Sequence, residues 1–113
     1  MGVLDILIPI LCMVESGGNP NAVGDGGRAI GILQIHRLAW MDGCSELGVN
    51  WEYPKDAFNP DKSKAVCRAY LIRWCGKNAS YERYARTWNG GPSGYKKPET
   101  AGYWKRVKKI LER

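Results

Sequence analysis

The chain has 113 residues, 44% of them apolar and 25% charged, which suits one domain able to bury a core and excludes a disordered or fibrous class. Its four cysteines form no Cys-x-x-Cys pair and it has a single histidine, so a structural zinc is not expected, nor is any other metal or cofactor. The net charge of +6 concentrates in residues 96–113, where seven Lys or Arg face only Glu99 and Glu112. That patch favours polyanionic partners or is simply a solvated helix face.

Leu4, Leu7, Ile8, Leu11 and Val14 repeat at helical spacing and predict a first core helix, with Asp5 near its start and Pro9 tolerable if it falls in the first turn. This apolar run is too short to span a bilayer. No basic residues precede it, Asp5 interrupts it and no small-residue cleavage site follows, so it is read as core and no export signal is expected. Gly17-Gly18-Asn19-Pro20 ends the helix just after Glu15.

Glu15 is the unusual residue. It closes an apolar run, so its carboxyl is expected at the edge of a core, where burial disfavours the charged form and raises the pKa. Ten residues on, Asp25 falls in Gly24-Asp25-Gly26-Gly27, the expected turn of a small hairpin formed by residues 21–23 and 29–31. A polar, glycine-lined turn keeps a carboxylate ionised. Two carboxyls in contrasting settings suit glycoside hydrolysis, in which one donates a proton and the other attacks or stabilises an oxocarbenium-like centre. As residue types alone, they are equally a helix-end carboxylate and a turn former.

Helical character resumes from Gln34 to Met41, and Asp42-Gly43-Cys44 is expected to stop it. Residues 45–60 read as an irregular connection ending at Asn59-Pro60-Asp61, a good start for a helix from Lys62 to Cys75. Ala65, Val66, Ala69, Tyr70, Ile72 and Trp74 are its candidate buried positions. Ser80 caps a helix to about Trp88, Asn89–Gly94 reads as a turn, and Thr100 caps a last helix that faces Tyr103, Trp104, Val107, Ile110 and Leu111 inward. The fold class is α+β, predominantly helical, with about five helices and one hairpin carrying Asp25, in a single domain over 1–113. If Cys67 and Cys75 share a helix they stand about 12 Å apart, too far for a disulfide. A Cys44–Cys67 bridge is open, with four free thiols as the default.

Five tryptophans and six tyrosines against one phenylalanine suit a groove in which sugar faces stack and hydroxyls find partners. Glu15-Ser16, the Asp25 turn, Gly31-Ile32-Leu33-Gln34-Ile35, Ala39-Trp40-Met41-Asp42, Ala69-Tyr70-Leu71, Ala85-Arg86-Thr87-Trp88-Asn89-Gly90-Gly91-Pro92 and Gly102-Tyr103-Trp104-Lys105-Arg106-Val107 follow one another in an order that resembles the invertebrate-type (destabilase) lysozymes. The resemblance implies a lysozyme-like fold and cleavage of the β-1,4 bond between N-acetylmuramic acid and N-acetylglucosamine in peptidoglycan. It puts the family's acid on Glu15 and, across a one-residue gap, its second carboxylate on Asp25. Secreted members are rich in disulfides, and four cysteines look more like a bacterial or phage relative. Two routes to the wall stay open, phage-type release by membrane permeabilisation and export by a signal already removed. Leu33 and Trp88 stand where the family has Tyr and His, so the isopeptidase activity of some members is not expected to carry over.

The resemblance also makes Gln34 a contact for sugar amides or hydroxyls, or else an amide satisfied by the hairpin backbone. Asn89, Gly90 and Gly91 become a cleft wall offering backbone groups to an acetamido sugar. Trp40 and Trp88 lie on helical stripes and are assigned to the core, Ser16 to a structural hydrogen bond, and His36 to the surface beside the motif. The expected partner is a glycan strand of the cell wall, met by a monomer, with 96–113 contacting anionic wall polymers and no nucleic acid involved. Two other readings stay open: a lytic transglycosylase working with Glu15 alone, and a non-catalytic basic wall-binding module.

Overall fold

The structure, a computed structural model, describes all 113 residues. Helix α1 spans Val3–Ser16 and buries Leu4, Leu7, Ile8 and Leu11, while Asp5 accepts a 2.8 Å hydrogen bond from the Gly2 amide at its start. Pro9 lies mid-helix rather than in the first turn. A proline there costs about 3 kcal/mol, but it and Asp5, whose carbonyl loses its donor, are both solvent-exposed. Each buried aliphatic side chain contributes roughly 1.5–3 kcal/mol, so the stripe wins. Gly17, at φ 65°, ends the helix and donates to the Met13 carbonyl, which leaves Glu15 in the last turn.

Strands β1 (Val23–Gly24) and β2 (Ala29–Ile30) pair antiparallel, Val23 opposite Ile30, with a 3₁₀ turn over Asp25–Gly27 between them. Helix α2 (Arg37–Leu47) starts later than its sequence suggests, because Gln34 takes a left-handed φ of 51°. It also runs straight through Asp42-Gly43-Cys44. Gly43 is a contact glycine, since a Cβ there would stand 2.5 Å from Val66 Cγ1 and 2.6 Å from the Val66 carbonyl oxygen. Its missing side chain lets α2 lie directly on α3 (Pro60–Cys75), which Asn59 caps by accepting from the Lys62 amide at 3.0 Å. Trp74, expected inside, is exposed and its indole donates to Asp42.

Helix α4 (Tyr81–Gly90) is capped by Ser80 as expected, but it absorbs Asn89 and Gly90 into its last turn. Arg86 braces the loop that follows, donating to the Thr100 hydroxyl and the Lys97 carbonyl, both at 2.8 Å. Thr100 does not cap α5 (Ala101–Leu111); its hydroxyl is buried against this loop. Two clusters fill the interior. One joins α1, α3, α4 and α5 around Leu7, Leu11, Leu71, Tyr84 and Val107. The other joins the hairpin, α2 and α3 around Ile30, Ile35, Trp40 and Val66. Ala39 and Trp88 pack against both. The cysteines are free thiols, Cys44 in the second cluster and Cys67 in the first, so the Cys44–Cys67 bridge does not form.

Candidate active site

At the seam between these clusters opens a cleft of about 470 Å³. One wall comes from the segment entering α2, with Ile35, His36, Leu38 and Ala39, and the other from the end of α4, with Trp88, Asn89, Gly91 and Pro92. Tyr70 closes the space between them, edge-on to Trp88 at 5.7 Å between ring centroids. Glu15 lines the cleft from the last turn of α1. Where it sits follows from local sequence. The apolar stripe fixes the rotation of α1, and Gly17 stops the helix before solvent would surround the carboxyl. Ser16 ties this corner down by donating to the Ile32 carbonyl at 2.7 Å and accepting from the Asn19 amide at 3.0 Å.

Burial raises the Glu15 pKa, against smaller lowering effects from the Tyr103 hydroxyl, the Arg106 charge and the Trp88 indole. Tyr103 donates to Glu15 Oε2 at 2.8 Å. Its own pKa is driven far upward by burial and by the Glu15 charge, so it stays a hydroxyl and a donor. A half-buried carboxyl that lines a cleft and has one oxygen held by a hydroxyl donor can act chemically as a proton donor.

The Transglycosylase SLT domain family model matches residues 2–111. The lysozyme of Ostrea edulis is 36% identical over 110 residues, covering 92% of this chain and 78% of that protein. The lysozyme of Meretrix lusoria is 36% identical over 106 residues, covering 88% and 84%. In three dimensions, a chain in the crystal structure of Aeromonas hydrophila PliI in complex with Meretrix lusoria lysozyme superposes with a TM-score of 0.77 at 31% identity, over 92% of this chain and 87% of that one. The chain belongs to the invertebrate-type lysozyme family. It is thereby homologous to peptidoglycan-degrading glycoside hydrolases, and its five helices and single hairpin are the lysozyme-like fold expected from sequence.

Within this lysozyme fold, Glu15, Gln34, Asn89 and Gly91 come together in the cleft, whereas Asp25 and Gly90 are not among its walls. Asp25 occupies the hairpin tip with its side chain 52% exposed, its two oxygens 3.4 Å from Arg28 Nη2 and 3.4 Å from His36 Nε2. His36 lines the cleft, so Asp25 is linked to the rim through that ring. Gln34 spends both amide hydrogens on the carbonyls of Ala22 (3.1 Å) and Gly31 (3.0 Å), which pins the hairpin to the segment entering α2. Gly90 faces Thr100, where a Cβ would stand 2.6 Å from Cγ2, and its carbonyl accepts from Lys97 Nζ. Trp40 is core, as expected, with its indole donating to the Trp51 carbonyl. Trp88, assigned to the core from its stripe, is also a cleft wall.

Tyr103 was legible only as an inward residue of α5. The signal for more was its hydroxyl, because a buried Tyr chosen over Phe needs an acceptor. No helix is long and apolar enough to cross a membrane.

Proposed function

We propose that the protein is a muramidase that hydrolyses the β-1,4 bond between N-acetylmuramic acid and N-acetylglucosamine. Glu15 is the general acid. Tyr103 holds Oε2, so the transferable proton resides on Oε1, directed at the glycosidic oxygen of a strand lying in the cleft. Asp25 is the nucleophile or electrostatic stabiliser, brought to the sugar by the glycine turn and aligned by His36. Carboxyl separations of about 5–5.5 Å in the substrate complex give retention, and about 6.5–9.5 Å give inversion. Asn89 and the Gly91 backbone bind the acetamido sugar, and Trp88 and Tyr70 form its apolar floor. Residues 96–113 add electrostatic attraction to anionic wall polymers, and the enzyme works at the cell wall.

The observation that carries this reading is Glu15 itself, a carboxyl made reluctant to ionise by burial and open to a sugar-sized cleft. The test is clearing of purified peptidoglycan by the wild type and by Glu15→Gln, with analysis of the products. New reducing ends that vanish in Glu15→Gln support the assignment, and equal clearing by both overturns it.

Two observations favour a second reading, a lytic transglycosylase: the family model that matches is that of a transglycosylase domain, and Asp25 lies outside the cleft walls. Such an enzyme uses one Glu as acid and then base, and leaves 1,6-anhydromuramyl ends without consuming water.

A further inference from the structure

Beside the cleft, and sharing His36 and Leu38 with it, lies a second cavity of about 370 Å³ that also takes in Arg28, Arg37 and Tyr53. The two differ in the groups that line them. The first holds the acidic side chains Glu15 and Asp42, while the second holds two guanidinium groups and no carboxylate. Leu38, 76% exposed, forms the ridge between them.

The arginines are prepared differently. Arg28 is committed to Asp25, through Nε to its carbonyl at 3.2 Å and Nη2 to its carboxylate at 3.4 Å. Arg37 stacks over the Tyr53 ring at 5.0 Å from its centroid and donates no hydrogen bond within the protein. Tyr53 is itself fixed, its hydroxyl lying 2.8 Å from the Ile35 carbonyl and 3.0 Å from that of Arg28. The platform under Arg37 is therefore rigid and its planar fork of five N–H donors is free. That combination suits a carboxylate, which a guanidinium can take through two parallel hydrogen bonds. The nearby carboxylate, Asp25, is held by Arg28 and His36 and leaves Arg37 unpaired. The uncapped start of α2 adds to a field the guanidiniums already set.

We propose that this second cavity is a substrate subsite that binds a free carboxylate on the peptide substituent of a muramyl residue, with Arg37 as the donor and Tyr53 as its support. The proposal rests on the reading of the substrate as peptidoglycan. A strand in the acidic cleft passes the ridge at Leu38, and the stem peptide of the sugar beside it reaches into the basic cavity. The enzyme thereby distinguishes peptide-bearing wall from bare glycan, a distinction the sugar cleft alone does not make.

The experiment compares wild type, Arg37→Gln and Arg37→Lys on peptidoglycan stripped of wall polymers, and on the same strands after an amidase has removed the stems. Arg37→Gln is expected to raise KM on stem-bearing strands about tenfold, the worth of one charge-assisted hydrogen bond, with kcat and activity on bare strands unchanged. Arg37→Lys recovers part of the loss. An unchanged KM on stem-bearing strands overturns the proposal. So does an equal loss on both substrates, which makes Arg37 a sugar contact, a partner of the lactyl carboxylate that the amidase exposes, or a fold residue. A loss seen only on walls that retain phosphate polymers also overturns it, in favour of a phosphate ligand. Wild type inactive on both substrates sinks the peptidoglycan reading and the subsite with it, whereas failure of the subsite alone leaves wild-type cleavage intact.

Discussion

Glu15 and Asp25 lie ten residues apart in sequence and are held in place by opposite means. Glu15 ends a helix whose orientation four buried aliphatic residues determine, and its carboxyl is seated by a tyrosine 88 positions away. Asp25 tips a hairpin with two residues in each strand, surrounded by glycines and touched only by exposed charged or polar groups. The first has a protonation state set by the core. The second has a position set by a turn that substrate can adjust. A proton donor needs a fixed environment to keep its pKa, while an anion that must approach a developing positive centre tolerates movement.

The strongest way to break this contrast is Glu15→Gln, which keeps shape and removes the proton. Peptidoglycan cleavage should fall on the order of a hundredfold or more, with the far-ultraviolet spectrum unchanged, and turnover near wild type would end the assignment. Asp25→Asn comes next and divides the two chemistries. If Asp25 reacts with or stabilises the sugar, formation of reducing ends drops by a comparable factor. Surviving turnover with 1,6-anhydro products identifies an enzyme that works with Glu15 alone.

Tyr103→Phe sharpens the comparison instead. Its hydroxyl lowers the Glu15 pKa, so removal raises that pKa further and moves the alkaline limb of the kcat/KM profile to higher pH. A limb that stays in place would separate Tyr103 from the acid. The smallest effect concerns stability. Burial raises the folded-state pKa of Glu15, so the site favours the protonated form, and the stability this confers is complete below the ordinary glutamate range and lost as pH rises through the raised value. Glu15→Gln cannot ionise. It should melt a few degrees higher than wild type near neutral pH, and the gap should close on acidification to about pH 4.

Much of this was legible because local rules and tertiary packing agree. The Leu4–Val14 stripe with Gly17 behind it predicts both α1 and the unusual setting of Glu15. Asn59-Pro60 and Ser80 mark helix starts by chemistry that acts within one turn. Misreadings arose where a distant partner decides. Gly43 reads as a helix stop until Val66 is seen filling the space its Cβ would occupy. Asn89-Gly90 reads as a turn, but the Arg86 bracket and the contact of Gly90 with Thr100 carry α4 onward. Gln34 reads as helical and takes a left-handed conformation instead, which its two bonds to the hairpin backbone stabilise. Tyr103 could be placed inside but not paired, because no local pattern reports a contact spanning nearly the whole chain.

That span has a consequence for how the enzyme comes into being. Glu15 and the tyrosine that holds its carboxyl come from helices 88 positions apart, so a nascent polypeptide still short of residue 103 lacks the hydroxyl that seats this side chain. The contact that seats the Glu15 carboxyl therefore forms only when α5 has docked on α1, late in the making of the fold.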